Sequence, residues 1–469
     1  MTETRYISTR GEAPVLGFED VVLAGLARDG GLYMPEVWPR LERDEIADFA
    51  GRPFHEVAAA VIAPFAAGAL SRDELTALAR EAYAGFGHAA TTPLVQLAPD
   101  RFVLELFHGP TLAFKDVAMQ FLSRLMERIL AARSARATIV CATSGDTGGA
   151  AVEAFRGADN IDIVVLFPEG RVSDVQRRMM TTPDDTNVHA LSIRGTFDDC
   201  QALVKAMFND LAFRDRVALS GVNSINWARV VPQVSYYFAA AAALGAPHRP
   251  VSFTVPTGNF GDIFAGHVAR LMGLPIAKLT IASNANDILP RTVQTGAYEK
   301  HGVIATTSPS MDIQISSNFE RYLFEAAGRD SSQIRSWMAS LGQSGRFELG
   351  ATADCLRADF SAAAASEAEV RAAIRDTRAE TGYLLEPHTA CGVVASQKTA
   401  DAHDRTVPDI VLATAHPAKF PDAMADITGE PAGLPARLAH LMDDAERMTH
   451  LDNDLAAVQR YILEMTRGA

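Results

Sequence analysis

Four short segments carry residue types that could do chemistry, and each directly follows an apolar, β-branched run. In FHGPTLAFKDVAMQFL (107–122), Lys115 lies between Phe114 and Asp116 at the start of an amphipathic stretch. A lysine held by apolar neighbours loses solvation, which lowers its pKa and frees the amine as a nucleophile; most lysines so placed are simply solvated. SGDTGG (144–149) offers Gly145, Gly148 and Gly149 for close backbone approach to an anion, or reads equally as a capped glycine turn. TGNFGD (257–262) flanks Asn259 and Phe260 with Gly258 and Gly261 before a helix-like run, a pattern suited to a phosphate. It is neither a Walker loop nor a GxGxxG fingerprint. TAHPAKF (414–420) puts the hydroxyl of Thr414 at a strand end and the cation Lys419 nearby, although a proline turn with a surface lysine has the same pattern.

The elements that must position these loops follow from periodicity. RFVLELF (101–107), ATIVCAT (137–143), DIVVLF (162–167), NVHALSI (187–193), VSFTVP (251–256), AKLTIAS (277–283) and DIVLATA (409–415) read as strands. Helical spacing separates them, as in 117–134 and 197–210, where Thr196 and Asp199 form a capping-box pattern. Alternation of this kind predicts an α/β protein with largely parallel sheets, whose ligands sit beyond the carboxyl ends of strands. Residues 1–93 contain helical stretches at 18–30 and 72–86 and no strand-rich segment, so a mainly helical N-terminal domain is expected. Residues 94–429 form the expected core and 430–469 a charged helical segment packing on it.

Composition excludes several classes. The chain of 469 residues is 48% hydrophobic, enough for a large core, and its formal charge of −14 disfavours nucleic-acid or anionic-membrane partners. Four scattered cysteines without CxxC spacing read as reduced thiols, no apolar run is long enough to span a membrane, and MTETRYISTRG lacks a signal pattern. A cytoplasmic protein is expected. There is no HExxH, no GxSxG and no paired-histidine spacing, so no metal is assigned.

Taken together and in order, FHGPTLAFKD, ATSGDTGGAA, NSINWAR (223–229), PTGNFGDIFAG and ATAHPAKF, with YISTRG…DGGLYMPE (6–36), resemble fold-type II pyridoxal-phosphate enzymes. More closely, the whole chain is similar to the threonine synthase family of the longer bacterial and fungal type. The resemblance implies a two-lobed, tryptophan synthase β-like fold, its smaller lobe near 125–240, with the added N-terminal domain. It also implies pyridoxal 5'-phosphate as cofactor, held covalently as a Schiff base by Lys115. Gly258, Asn259, Phe260 and Gly261 would cradle the cofactor phosphate, Asp262 would lie beside them, and Thr414 would meet the pyridine nitrogen. A hydroxyl supports a protonated ring less than a carboxylate does, which makes the electron sink gentler.

By the same resemblance Ser144, Gly145, Thr147 and backbone N–H groups hold the substrate carboxylate. Ser224, Asn226 and Arg229 receive the substrate phosphate, with Lys419 a weaker candidate for the same anion. Asp146 stands where the wider fold-type II relatives often place Asn beside the cofactor's 3′-oxygen, although the longer threonine synthases share this Asp; a carboxylate there repels a phenolate unless a proton is shared or the loop sits slightly away. The implied reaction converts O-phospho-L-homoserine and water to L-threonine and phosphate, by γ-elimination of phosphate and β-addition of water, in a monomer. The alternatives are a phospho-lyase or dehydratase releasing 2-oxobutyrate, and a non-catalytic homologue that only binds the cofactor.

Overall fold

The computed structural model describes residues 3–400, 404 and 406–467. All seven expected strands form, and they divide between two sheets. The larger sheet runs Phe360–Ala364, Ile276–Ser283, Val251–Pro256, Asp409–Ala413, Arg101–Glu105, Leu94–Ala98 in spatial order. It is parallel except for the last pair, an antiparallel hairpin. The smaller sheet runs Thr449–Asp452, Val188–Arg194, Ile161–Pro168, Ala137–Ala142, Leu219–Ser220, parallel throughout. Its central strand Ile161–Pro168 is buried along its full length, as a parallel strand covered on both faces must be.

Two expectations needed correction, the tail without strand and the helix expected over 18–30. The tail, expected to be helical without strand, contributes Thr449–Asp452, paired in register with Leu191–Arg194. Only then does it enter the helix Leu455–Met465, whose Val458 and Ile462 pack into the apolar cluster on the smaller sheet. The strand THLD is short, polar and half-exposed, the form an edge strand takes, so it gives no hydrophobic run to read. The smaller sheet therefore draws on the tail as well as on residues within 125–240. At the N-terminus the helices Phe18–Ala24, Arg43–Ala47, Phe54–Ile62 and Arg72–Tyr83 are joined by a small antiparallel ladder, Tyr6–Ser8 with Tyr33–Pro35. The first of them stops at Ala24, six residues short of the expected end, because Gly25 turns the chain with φ 65°.

One apolar core runs from the N-terminal helices through the helix Trp227–Ala243 to both sheets. Trp227 anchors it, fully buried, with Tyr6, Trp38 and Phe65 around its ring at centroid distances of 6.2, 5.9 and 5.8 Å. That anchor sets the position of Arg229 two residues later. Among the described residues no helix is long and apolar enough to cross a membrane.

Candidate active site

Lys115 opens the helix Lys115–Ala132 after a loop leaving the strand Arg101–Glu105. Main-chain bonds stitch that loop to the end of the neighbouring strand: Phe114 N–H donates to Thr414 O (2.8 Å) and His416 N–H to Leu112 O (3.0 Å). Buried Asp116 braces the same loop by accepting from Thr111 N–H at 2.8 Å and from the Thr111 hydroxyl. The Lys115 ammonium is 3.3 Å from Asp146 Oδ2. Burial pushes its pKa below the ordinary lysine value; Asp146 works against the shift, and Lys419 and Arg229 add to it. Such an amine is ready to attack a carbonyl.

Asp146 begins the helix Asp146–Phe155 beyond the strand Ala137–Ala142 of the other sheet. Its Oδ1 takes Lys419 Nζ at 2.8 Å and Gln176 Nε2 at 2.9 Å, and its Oδ2 takes the Ser310 hydroxyl at 3.2 Å. Burial alone would raise this carboxyl, but the two ammonium groups prevail and hold it well below the usual carboxylate range. In the same loop Thr143 Oγ1 accepts from Gly145 and Gly148 N–H, both at 2.9 Å, so these two amides are already satisfied. Ser144 is exposed and Thr147 half-buried, leaving both hydroxyls accessible. Gly145 is required: with φ 135°, any Cβ would lie 2.5 Å from the Gln176 side chain.

The TGNFGD loop joins the strand Val251–Pro256 to the helix Gly261–Leu271. Phe260 takes a left-handed turn (φ 63°), tolerated because its ring is locked among Phe319, Tyr322 and Phe360. The first helical bond runs from Phe264 N–H to Phe260 O, so the amides of residues 261–263 precede it and face out of the helix end. Asn318 ties this loop to the NSINWAR loop, donating from one amide group to Asn259 O and Ser224 O at 3.1 Å each. Asp262 turns one carboxylate oxygen away from the loop, where both Tyr236 and Tyr237 donate to its Oδ1, while its buried Oδ2 has no partner. Burial raises its pKa to about 7, partly offset by those tyrosines.

The structure divides the NSINWAR residues. Asn226 is fully buried, caps the helix by accepting from Ala228 N–H, and donates its amide hydrogens to Val22 O and Gly221 O. No donor is left for an anion, which corrects the expected substrate contact; capping and ligand binding use the same residue type and cannot be separated by spacing. Ser224 is half-buried and its hydroxyl makes no such commitment. Arg229 is buried, donates from Nη1 to Val222 O at 2.8 Å, and leaves Nε without a partner. No carboxylate pairs with it among the described residues, and burial lowers its pKa to about 10. A guanidinium in that state is costly unless an anion completes it. Lys419, expected as a possible anion contact, is instead fully buried between Asp146 and Thr111 O (2.8 Å).

Sequence reading did not find Gln176, Ser310, Asn318 or Arg321. The Ser173–Gln176 capping box was the one available signal. Buried Arg321 donates to Tyr33 O, Asn318 Oδ1 and Ile225 O, linking the N-terminal domain to both phosphate-suited loops.

A desolvated lysine, a glycine-lined helix start, a free hydroxyl at a strand end and an uncompensated arginine meet where the two sheets face each other. This donor set fits pyridoxal phosphate together with an anionic substrate. Residues 86–355 match the family model for pyridoxal-phosphate dependent enzymes, and the chain is a fold-type II member of that class. Residues 5–83 match the model for the threonine synthase N terminus and 389–462 that for the threonine synthase C-terminal region. A threonine synthase of Pseudomonas aeruginosa is 49% identical over 460 residues, covering 98% of both chains. The crystal structure of pyridoxal-phosphate-bound threonine synthase from Brucella melitensis is 58% identical, covers 99% of this chain and 100% of its own, and superposes with a TM-score of 0.96. The yeast threonine synthase structure is 38% identical over 98% of each chain, with a TM-score of 0.93. The chain belongs to the threonine synthase family.

Proposed function

We propose that this protein converts O-phospho-L-homoserine and water to L-threonine and phosphate, using pyridoxal 5'-phosphate. When bound, the cofactor supplies an electron sink that acidifies carbon next to the substrate's amino group. The chain's own residues do the rest. Lys115 would hold the cofactor, and its amine, when free, would be the base placed to move protons at the α- and β-carbons. The TGNFGD amides would take the cofactor phosphate, and Thr414 would meet its ring nitrogen. Ser144, Thr147 and the remaining amides of that loop orient the substrate carboxylate. Arg229 and Ser224 receive the substrate phosphate, which leaves from the γ-carbon, and water then adds at the β-carbon.

The uncompensated guanidinium of Arg229 carries this reading. A dehydratase acting on an unphosphorylated substrate has no need of it. In this reading residues 1–93 buttress one cleft, and the protein acts as a cytoplasmic monomer. The experiment is product analysis of the purified, cofactor-loaded protein with O-phospho-L-homoserine. Threonine and phosphate should appear in equal amounts; 2-oxobutyrate without threonine would place the protein among the eliminating lyases instead.

A further inference from the structure

Lys419 and Asp146 come from opposite sheets. Lys419 ends the turn Pro417–Lys419 after the strand Asp409–Ala413, whereas Asp146 follows the strand Ala137–Ala142. Lys419 is 0% exposed and Asp146 5%, and they meet at 2.8 Å. Two of the three Lys419 hydrogens are engaged, by Asp146 Oδ1 and Thr111 O, so it is poorly placed to receive an incoming anion. Arg229, by contrast, has an unmet donor. The second oxygen of Asp146 faces the Lys115 amine at 3.3 Å and the Ser310 hydroxyl at 3.2 Å. Ser310 is held in turn by its N–H to His388 Nε2 (3.2 Å), and His388 Nδ1 by Glu386 (2.7 Å).

We propose that Lys419 is a positioning residue: it acts through Asp146, keeping that carboxylate ionised and aimed at the Lys115 amine, and does not bind the substrate phosphate. The charged groups facing Asp146 are Lys115 and Lys419. Asp116 lies behind Lys419, Arg229 beyond Lys115 and His388 behind Ser310, while Gln176 and Ser310 are neutral. A buried carboxylate stays ionised only while cations compensate it. The depressed pKa of Asp146, in which Lys419 is the largest opposing influence to burial, agrees with this arrangement. The same pair lets a carboxylate stand beside the Lys115 amine: its charge is balanced by Lys419 from the side away from that amine.

The proposal rests on Lys115 carrying the cofactor, and the test separates the two. Substrate-free holoenzyme is titrated between about pH 5 and pH 9 while its visible absorbance is followed, with inhibition by inorganic phosphate measured alongside. In Lys419→Met, Asp146 loses the nearer of its two counter-ions and holds a proton more readily than in the parent. A new spectral transition should therefore appear that is absent from the parent and from Asp146→Asn/Lys419→Met, with phosphate inhibition within about twofold of the parent. A titration indistinguishable from the parent's would overturn the proposal. So would phosphate inhibition weakened tenfold or more without a new transition. If Lys419→Met fails to load cofactor, the double variant decides: removing both charges should restore loading, and failure to do so would refute the pairing. A parent protein without any visible band would instead contradict the role of Lys115.

Discussion

The Phe114 amide donates to the Thr414 carbonyl across 2.8 Å, tying the residue before Lys115 to the residue that ends the neighbouring strand. The two positions are 300 residues apart in sequence (414 − 114), yet adjacent strands Arg101–Glu105 and Asp409–Ala413 pair in parallel and release their loops at the same edge. The site's geometry is a consequence of that ladder.

Arg229 is uncompensated in the substrate-free protein, so its removal should divide function from stability. Arg229→Met is expected to lower kcat/KM for O-phospho-L-homoserine by about a hundredfold or more. Its thermal midpoint without substrate should be unchanged or higher, because a buried lone charge has been removed. Steady-state kinetics and thermal unfolding read the two effects.

Gly258 leaves no room for a side chain. A Cβ there would lie 2.8 Å from the Ser310 carbonyl oxygen, and the Gly258 carbonyl is itself held by the Ser316 hydroxyl, so the cradle cannot shift freely. Gly258→Ala should cost about 1–3 kcal/mol, read as roughly five- to 150-fold weakening of cofactor binding in equilibrium dialysis.

Asp262 should make stability fall with rising pH. Its folded pKa of about 7 lies above the ordinary carboxyl value of 3.8, so the folded protein binds this proton more tightly than the unfolded chain. The associated stability is fully present below about pH 4 and lost as pH rises through about 7. Asp262→Asn keeps an acceptor for Tyr236 and Tyr237 but cannot ionise. Thermal midpoints measured from acid to neutral pH should decline less steeply in this variant than in the parent.

The strands that frame the site were legible because parallel, two-face-buried strands such as Ile161–Pro168 carry continuous apolar runs. The loops were legible because each follows such a run. Leu94–Ala98 and Thr449–Asp452 were not, since edge strands expose one side and carry no such signature. The partners of individual site residues were also hidden. Asn226 reads as a free amide until Val22, from the N-terminal domain, takes its hydrogen. Lys419 reads as a surface lysine until the opposite sheet covers it. Both depend on contacts between segments more than 200 residues apart in sequence, which local pattern does not encode.

The most direct measurement is where the cofactor is attached. Borohydride reduction of the loaded protein, followed by peptide mass mapping, fixes the cofactor to whichever lysine holds it. The modification is expected on Lys115 alone, with the visible band lost in Lys115→Ala. Modification of Lys419, the other buried lysine beside Asp146, or a band that survives in Lys115→Ala, would contradict it.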